Sequence, residues 1–196
     1  MKFLEKIRRY VNISQIAPIS RRYFIMNAFD GATTILGIVA GAYVVGITNE
    51  TRFWVIWSGL GATLAMSLSG FVGAYMTEEA ELTRRLNILE KSMLTELKNS
   101  VVGKASRFAS VWAGIIDGMS PALAAVVCLM PFFLSSSGWL STDSAVQISM
   151  TIALGIMFML GVFLGKISRR NVLLHGVKML FVGLIITLIF LALKIT

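Results

Sequence analysis

Two aspartates stand where charge is costly. Asp30 and Asp117 each fall inside a long apolar stretch of this 196-residue chain. A carboxylate at the centre of a membrane-spanning helix costs about 2.5–3.5 kcal/mol on insertion scales, and acids kept there usually line a path for an ion or a proton. The surroundings match: Phe29-Asp30-Gly31-Ala32-Thr33 against Ile116-Asp117-Gly118-Met119-Ser120, so aspartate, glycine and a hydroxyl recur in the same order. Each aspartate lies about seven residues past the start of its apolar stretch, or about 10 Å deep at the ~1.5 Å rise of a helix. This reads as a weak parallel repeat of the kind transporters build sites from. The plainer reading is that the carboxylates cap local helix breaks or bond hydroxyls within a bundle.

Softer or more peripheral ligands accompany them. Met66, Met76 and Met119 offer thioethers, which suit borderline transition metals, although methionine also serves as a gap-filler. Glu78, Glu79, Glu81, Glu90 and Glu96 follow the second apolar stretch and could collect divalent cations at a pore mouth. Alternatively they form a solvated helix face paired with Arg84, Arg85 and Lys91. His175 stands alone and reads first as a packed or interfacial residue, second as a proton carrier. Cys128 lies in an apolar run and reads as a small core residue; as the single cysteine it permits no disulfide within the chain. No nucleotide, phosphate or hydrolase motif occurs. Intramembrane aspartyl proteases of the presenilin type carry Gly-x-Gly-Asp, whereas Asp117 follows Gly114-Ile115-Ile116, so no enzyme is expected.

The elements that must position these residues are membrane helices. Hydrophobic residues make up 56% of the chain and charged ones 14%, well below the roughly 25% charged content of a soluble domain. Five stretches reach the ~20 residues needed to cross a ~30 Å hydrocarbon core: 23–47, 53–76, 110–134, 145–165 and 172–195. The third contains Pro121 and Pro131, which neighbouring helices can accommodate. One all-α membrane domain over residues 1–196 is expected. Residues 77–107 are rich in helix formers, and Leu82, Leu86, Leu89 and Met93 make one helical stripe. A short helical hairpin after the second span is predicted there.

The net charge is +8, but the bases flank apolar segments, a topology signal and not a nucleic-acid face. Lys2, Lys6, Arg8, Arg9, Arg21 and Arg22 precede the first span. Arg84, Arg85, Lys91, Lys98, Lys104 and Arg107 follow the second, and Lys166, Arg169 and Arg170 follow the fourth. The alternate side holds only Arg52 and Lys194. The N-terminus is therefore expected in the cytoplasm and the C-terminus outside it, with the hairpin cytoplasmic, in what would be the cell membrane of a prokaryote. Phe3, Leu4, Ile7, Tyr10 and Val11 alternate with bases at helical spacing, which predicts a short amphipathic helix on the membrane surface rather than a signal peptide. In the second span Gly59, Ala62, Met66, Ser69, Gly70, Gly73 and Thr77 form a small face suited to close helix packing or dimerisation. Trp139 in the short outer loop is an interface anchor.

Two of these stretches resemble a known family. Residues 29–41, FDGATTILGIVAG, resemble the first-helix signature of the vacuolar iron transporters, the group that includes the yeast calcium-cross-complementer and nodulin-like proteins. Residues 58–81, SGLGATLAMSLSGFVGAYMTEEAE, resemble its second-helix signature. The resemblance implies a homodimer with the pore at the dimer interface, exchanging Fe²⁺ or Mn²⁺ for protons and clearing metal from the cytoplasm. No permanently bound cofactor is implied; the metal is the transported ion. The family's first-helix aspartate maps onto Asp30. Its mid-membrane glutamate and the methionine eight residues later fall on Ala62 and Gly70, and its acidic cytoplasmic domain is longer than residues 77–107. Asp117 then becomes the expected second carboxylate, with Met66 or Met119 as softer ligands. The other function class is a non-transporting membrane protein of the same fold, a metal sensor or assembly partner.

Overall fold

A computed structural model describes residues 10–195 apart from 12, 15 and 49, with side chains as far as 193. The predicted surface helix falls largely on residues 1–9, outside the described residues; Tyr10, Val11, Ile13 and Ser14 are helical. Five long helices follow: α1 (Ile16–Val45), α2 (Thr51–Met93), α3 (Val101–Ser136), α4 (Thr142–Ile167) and α5 (Val172–Ile195). The described residues contain no strand. All five helices are long and apolar enough to cross a membrane. Helix is the only open backbone form that satisfies its own amides and carbonyls where no water is available, so an apolar run of this length takes it.

Four of the five helices are longer than the apolar stretches that announce them. α1 starts at Ile16, ahead of Arg21 and Arg22, and stops at Val45, where Gly46 turns the chain at φ +119°. The helix that holds the second apolar stretch is 43 residues long, or about 65 Å, more than twice a bilayer core. Its second half carries the charged residues from Glu78 onward. Residues 94–100 connect it to α3, which begins nine residues before the third apolar stretch and passes through Pro121 and Pro131 without ending. α4 opens on the Ser141 N-cap, whose hydroxyl accepts from the Ser144 amide.

The chain divides into two compact units. One joins the described residues up to Phe24 with Ser67–Met119; the other joins Ile25–Met66 with Ser120–Thr196. In the first unit Ile16, Leu82 and Ala109 form a small apolar cluster that also holds Val11. Tyr10 and Phe108 meet with ring centroids 5.9 Å apart, and Phe108 stacks on Trp112. The second unit holds the main core, including Ile35, Leu36, Val39, Val55, Leu129, Phe132 and Met157. One of its close helix contacts is at Gly31, where an added Cβ would lie 2.5 Å from the Pro121 carbonyl oxygen and 2.8 Å from its Cα. Small residues at such crossings let backbones approach without any apolar driving force, which lipid does not supply. Cys128 is fully buried in this core. Its carbonyl accepts from the Ser149 hydroxyl at 2.7 Å, a hydrogen bond from α4 to α3.

Candidate functional site

Asp117 is held by the crossing of α2 and α3 within the first unit. Its side chain is buried, with 6% of its surface exposed. The carboxylate lies over Gly70: a Cβ built there would be 2.7 Å from Asp117 Oδ2 and 3.4 Å from the Asp117 carbonyl oxygen. Nothing larger than glycine leaves room for this carboxylate. The approach continues at Gly118, where a Cβ would lie 2.6 Å from the Ser67 carbonyl oxygen. The Ser67 hydroxyl is itself buried without a hydrogen-bond partner among the described residues. In the helical register, Pro121 is the residue whose amide would otherwise have bonded the Asp117 carbonyl, and proline has no N–H to give. Side-chain and main-chain oxygens of one residue thus gather at a glycine-lined crossing at membrane depth.

Asp30 has a different setting in the second unit. It sits on α1 beside Gly31, which is buried, yet Asp30 itself is exposed. The two ion pairs among the described residues, Arg22–Glu78 and Arg85–Glu81, leave it out. An exposed carboxylate on a helix that crosses a membrane must be covered by water or by another chain, because lipid cannot solvate it.

The methionines take ordinary places. Met66 is half-buried, and its sulfur accepts from the Thr34 hydroxyl at 3.5 Å. Met76 and Met119 are exposed. The glutamates divide among separate tasks. Glu78 is buried, accepts from the Tyr23 hydroxyl at 2.9 Å, and has the Arg22 guanidinium 3.8 Å away. Glu81 pairs with Arg85 one turn on, at 3.0 Å. Glu90 accepts from the Leu97 amide at 2.7 Å and so ties the connection after α2 to that helix. Glu79 and Glu96 are exposed. Among the described residues no three of His, Cys, Asp and Glu converge on a point able to hold a metal ion. His175 lies against its own helix start, Nδ1 3.0 Å from the Asn171 carbonyl.

Two features escaped the sequence reading. The tie from Tyr23 to Glu78 leaves no periodic signal, since the partners are far apart in the chain. The small face of α2 is split: Gly59 is buried and Met66 and Gly70 half-buried, whereas Gly61, Ala65, Ser69, Gly73 and Thr77 form a second, exposed ladder at four-residue steps. An added Cβ at Gly61 or Gly73 would meet nothing within 4 Å.

The fold defines a multi-pass α-helical membrane protein. Over 161 residues, 81% of this chain and 80% of the relative, the sequence is 35% identical to the uncharacterized protein MJ0645 of Methanocaldococcus jannaschii, and the chain belongs to the same family as that protein. No family model matches the chain, and no solved structure matches it. None of these comparisons points to the vacuolar iron transporters.

Proposed function

We propose that the protein exports a divalent metal ion, Fe²⁺ or Mn²⁺, from the cytoplasm in exchange for protons, working as a homodimer. The observation that carries this reading is Asp30, an exposed carboxylate on a helix long and apolar enough to cross a membrane. A second copy with a water-filled path between the two would cover it. The exposed ladder of Gly61, Ala65, Ser69, Gly73 and Thr77 supports the same arrangement, because small residues at four-residue steps are what close helix pairs in lipid use. Asp30 takes the metal and releases a proton as it does so. Asp117 supplies the second carboxylate, in the space that Gly70 leaves open.

The distribution of basic residues supports a cytoplasmic N-terminus, a cytoplasmic far end of α2 and start of α3, and a C-terminus on the other side; the membrane in this reading is the cell membrane of a prokaryote. The end of α2 and the start of α3 then make the cytoplasmic hairpin, where Glu79 and Glu96 are the glutamates with no other task. The test is metal flux in proteoliposomes across a pH gradient, comparing Fe²⁺, Mn²⁺, Zn²⁺ and Ca²⁺. Uptake of Fe²⁺ or Mn²⁺ that follows the gradient supports the reading. Movement of none of the four leaves the non-transporting sensor or assembly partner in its place.

A further inference from the structure

The turn between α4 and α5 concentrates positive charge that no ion pair among the described residues answers. Lys166, Arg169, Arg170 and Lys178 are all exposed, and neither ion pair among the described residues includes them. No aspartate or glutamate follows Asp143 in the chain. Asp143 itself is at the opposite end of α4, about 35 Å from Lys166 along the helix axis. Glu50 precedes α2, at the end of that helix away from its charged half.

The turn has a defined geometry. Arg169 takes φ +52°, its amide donates to the Lys166 carbonyl at 3.4 Å, and the Arg170 amide donates to the Gly165 carbonyl at 3.2 Å. Lys178 is six residues into α5, about 9 Å beyond the turn. It shares a helix face with Leu174 and Phe181, which are exposed apolar residues. A lysine among lipid-facing side chains needs an anion or the interface within reach of its four-carbon stem.

We propose that this turn binds the phosphate headgroup of an anionic phospholipid, with the acyl chains lying on the exposed face of α5. Arg169 and Arg170 meet the phosphate from the turn, and Lys178 reaches back to it from below. The apolar face favours a lipid over a free anion, because Leu174 and Phe181 give acyl chains a surface that inorganic phosphate cannot use. The inference stands apart from the transport reading, since it invokes neither Asp30 nor Asp117.

Native mass spectrometry of the full-length protein in detergent, titrated with phosphatidylglycerol or phosphatidylcholine, tests it. The expected result is preferential retention of phosphatidylglycerol, weakened about fivefold for each cation removed, in Lys178→Gln and in Arg169→Gln/Arg170→Gln. Lys178→Arg should keep it, as should Lys91→Gln on α2. Equal retention in the glutamine variants and the wild type overturns the proposal. Displacement of the lipid by millimolar inorganic phosphate overturns the assignment to lipid. Lys178→Gln alone changes one exposed side chain, so its result does not depend on the double variant folding.

Discussion

Gly70→Ala should evict the Asp117 carboxylate. The new Cβ would stand 2.7 Å from Oδ2, whereas unstrained contacts between such atoms fall nearer 3.5 Å. The Asp117 main chain is 3.4 Å away and can remain, so the strain falls on a short, buried side chain with little room to rotate. Overpacking of this kind costs about 1–3 kcal/mol. Alanine also holds a helix better than glycine by up to about 1 kcal/mol, which offsets part of that loss. Removing the carboxylate removes the clash: in an Asp117→Ala background, Gly70→Ala should be neutral or stabilising. A double-mutant cycle, read by unfolding of the purified protein in detergent mixtures, should therefore give a coupling of about 1–3 kcal/mol. Additive effects within a few tenths of a kcal/mol would mean that the carboxylate does not occupy the space over Gly70.

Further outcomes follow from the same geometry. Gly31→Ala brings its Cβ within 2.5–3.0 Å of Pro121 backbone atoms, which cannot yield as a side-chain tip does; the yield of folded protein should fall sharply. Gly37→Ala, with nothing within 4 Å, should leave that yield unchanged. Tyr23→Phe leaves the buried Glu78 carboxylate short of a hydrogen bond and should cost about 1–3 kcal/mol in the same unfolding assay, whereas Glu81→Gln, breaking an exposed pair, should cost under about 1 kcal/mol. A cysteine placed at Ser137 in a Cys128→Ala background should react with an impermeant thiol reagent from outside intact cells, and one at Ser100 should not; the reverse pattern would invert the topology.

Hydropathy located all five helices because lipid demands the same thing of each, an apolar surface with its backbone bonded internally. The fifth helix has the bounds the apolar run predicts, Val172–Ile195. The other four are longer. Ser20, Arg21 and Arg22 are too polar to count toward a span but continue α1, and the charged residues after Thr77 continue α2 as far as Met93. A hydropathy window measures the membrane, whereas a helix ends where a cap or a left-handed residue stops it, as at Gly46.

The candidate site was legible in part. The cost of charge in lipid picked out Asp30 and Asp117 by themselves. That one would be exposed and the other buried over a glycine depends on which helix faces meet, and no single helix encodes that. The glutamates read as one acidic group because they are close in sequence. Helical rotation points Glu78 inward to Tyr23, Glu81 sideways to Arg85 and Glu90 back to the Leu97 amide.

The central claim of the proposed function is that Asp30 and Asp117 each supply negative charge to a passing divalent cation and give up a proton as it binds. The direct measurement is proton movement in proteoliposomes holding a pH-sensitive dye, triggered by Mn²⁺ or Fe²⁺, for the wild type, Asp30→Asn and Asp117→Asn. The wild type should move protons against the metal. Each variant should lose that exchange by about a hundredfold, the rate equivalent of the 2.5–3.5 kcal/mol scale for charge at membrane depth. Undiminished metal-driven proton movement in either variant would contradict the account.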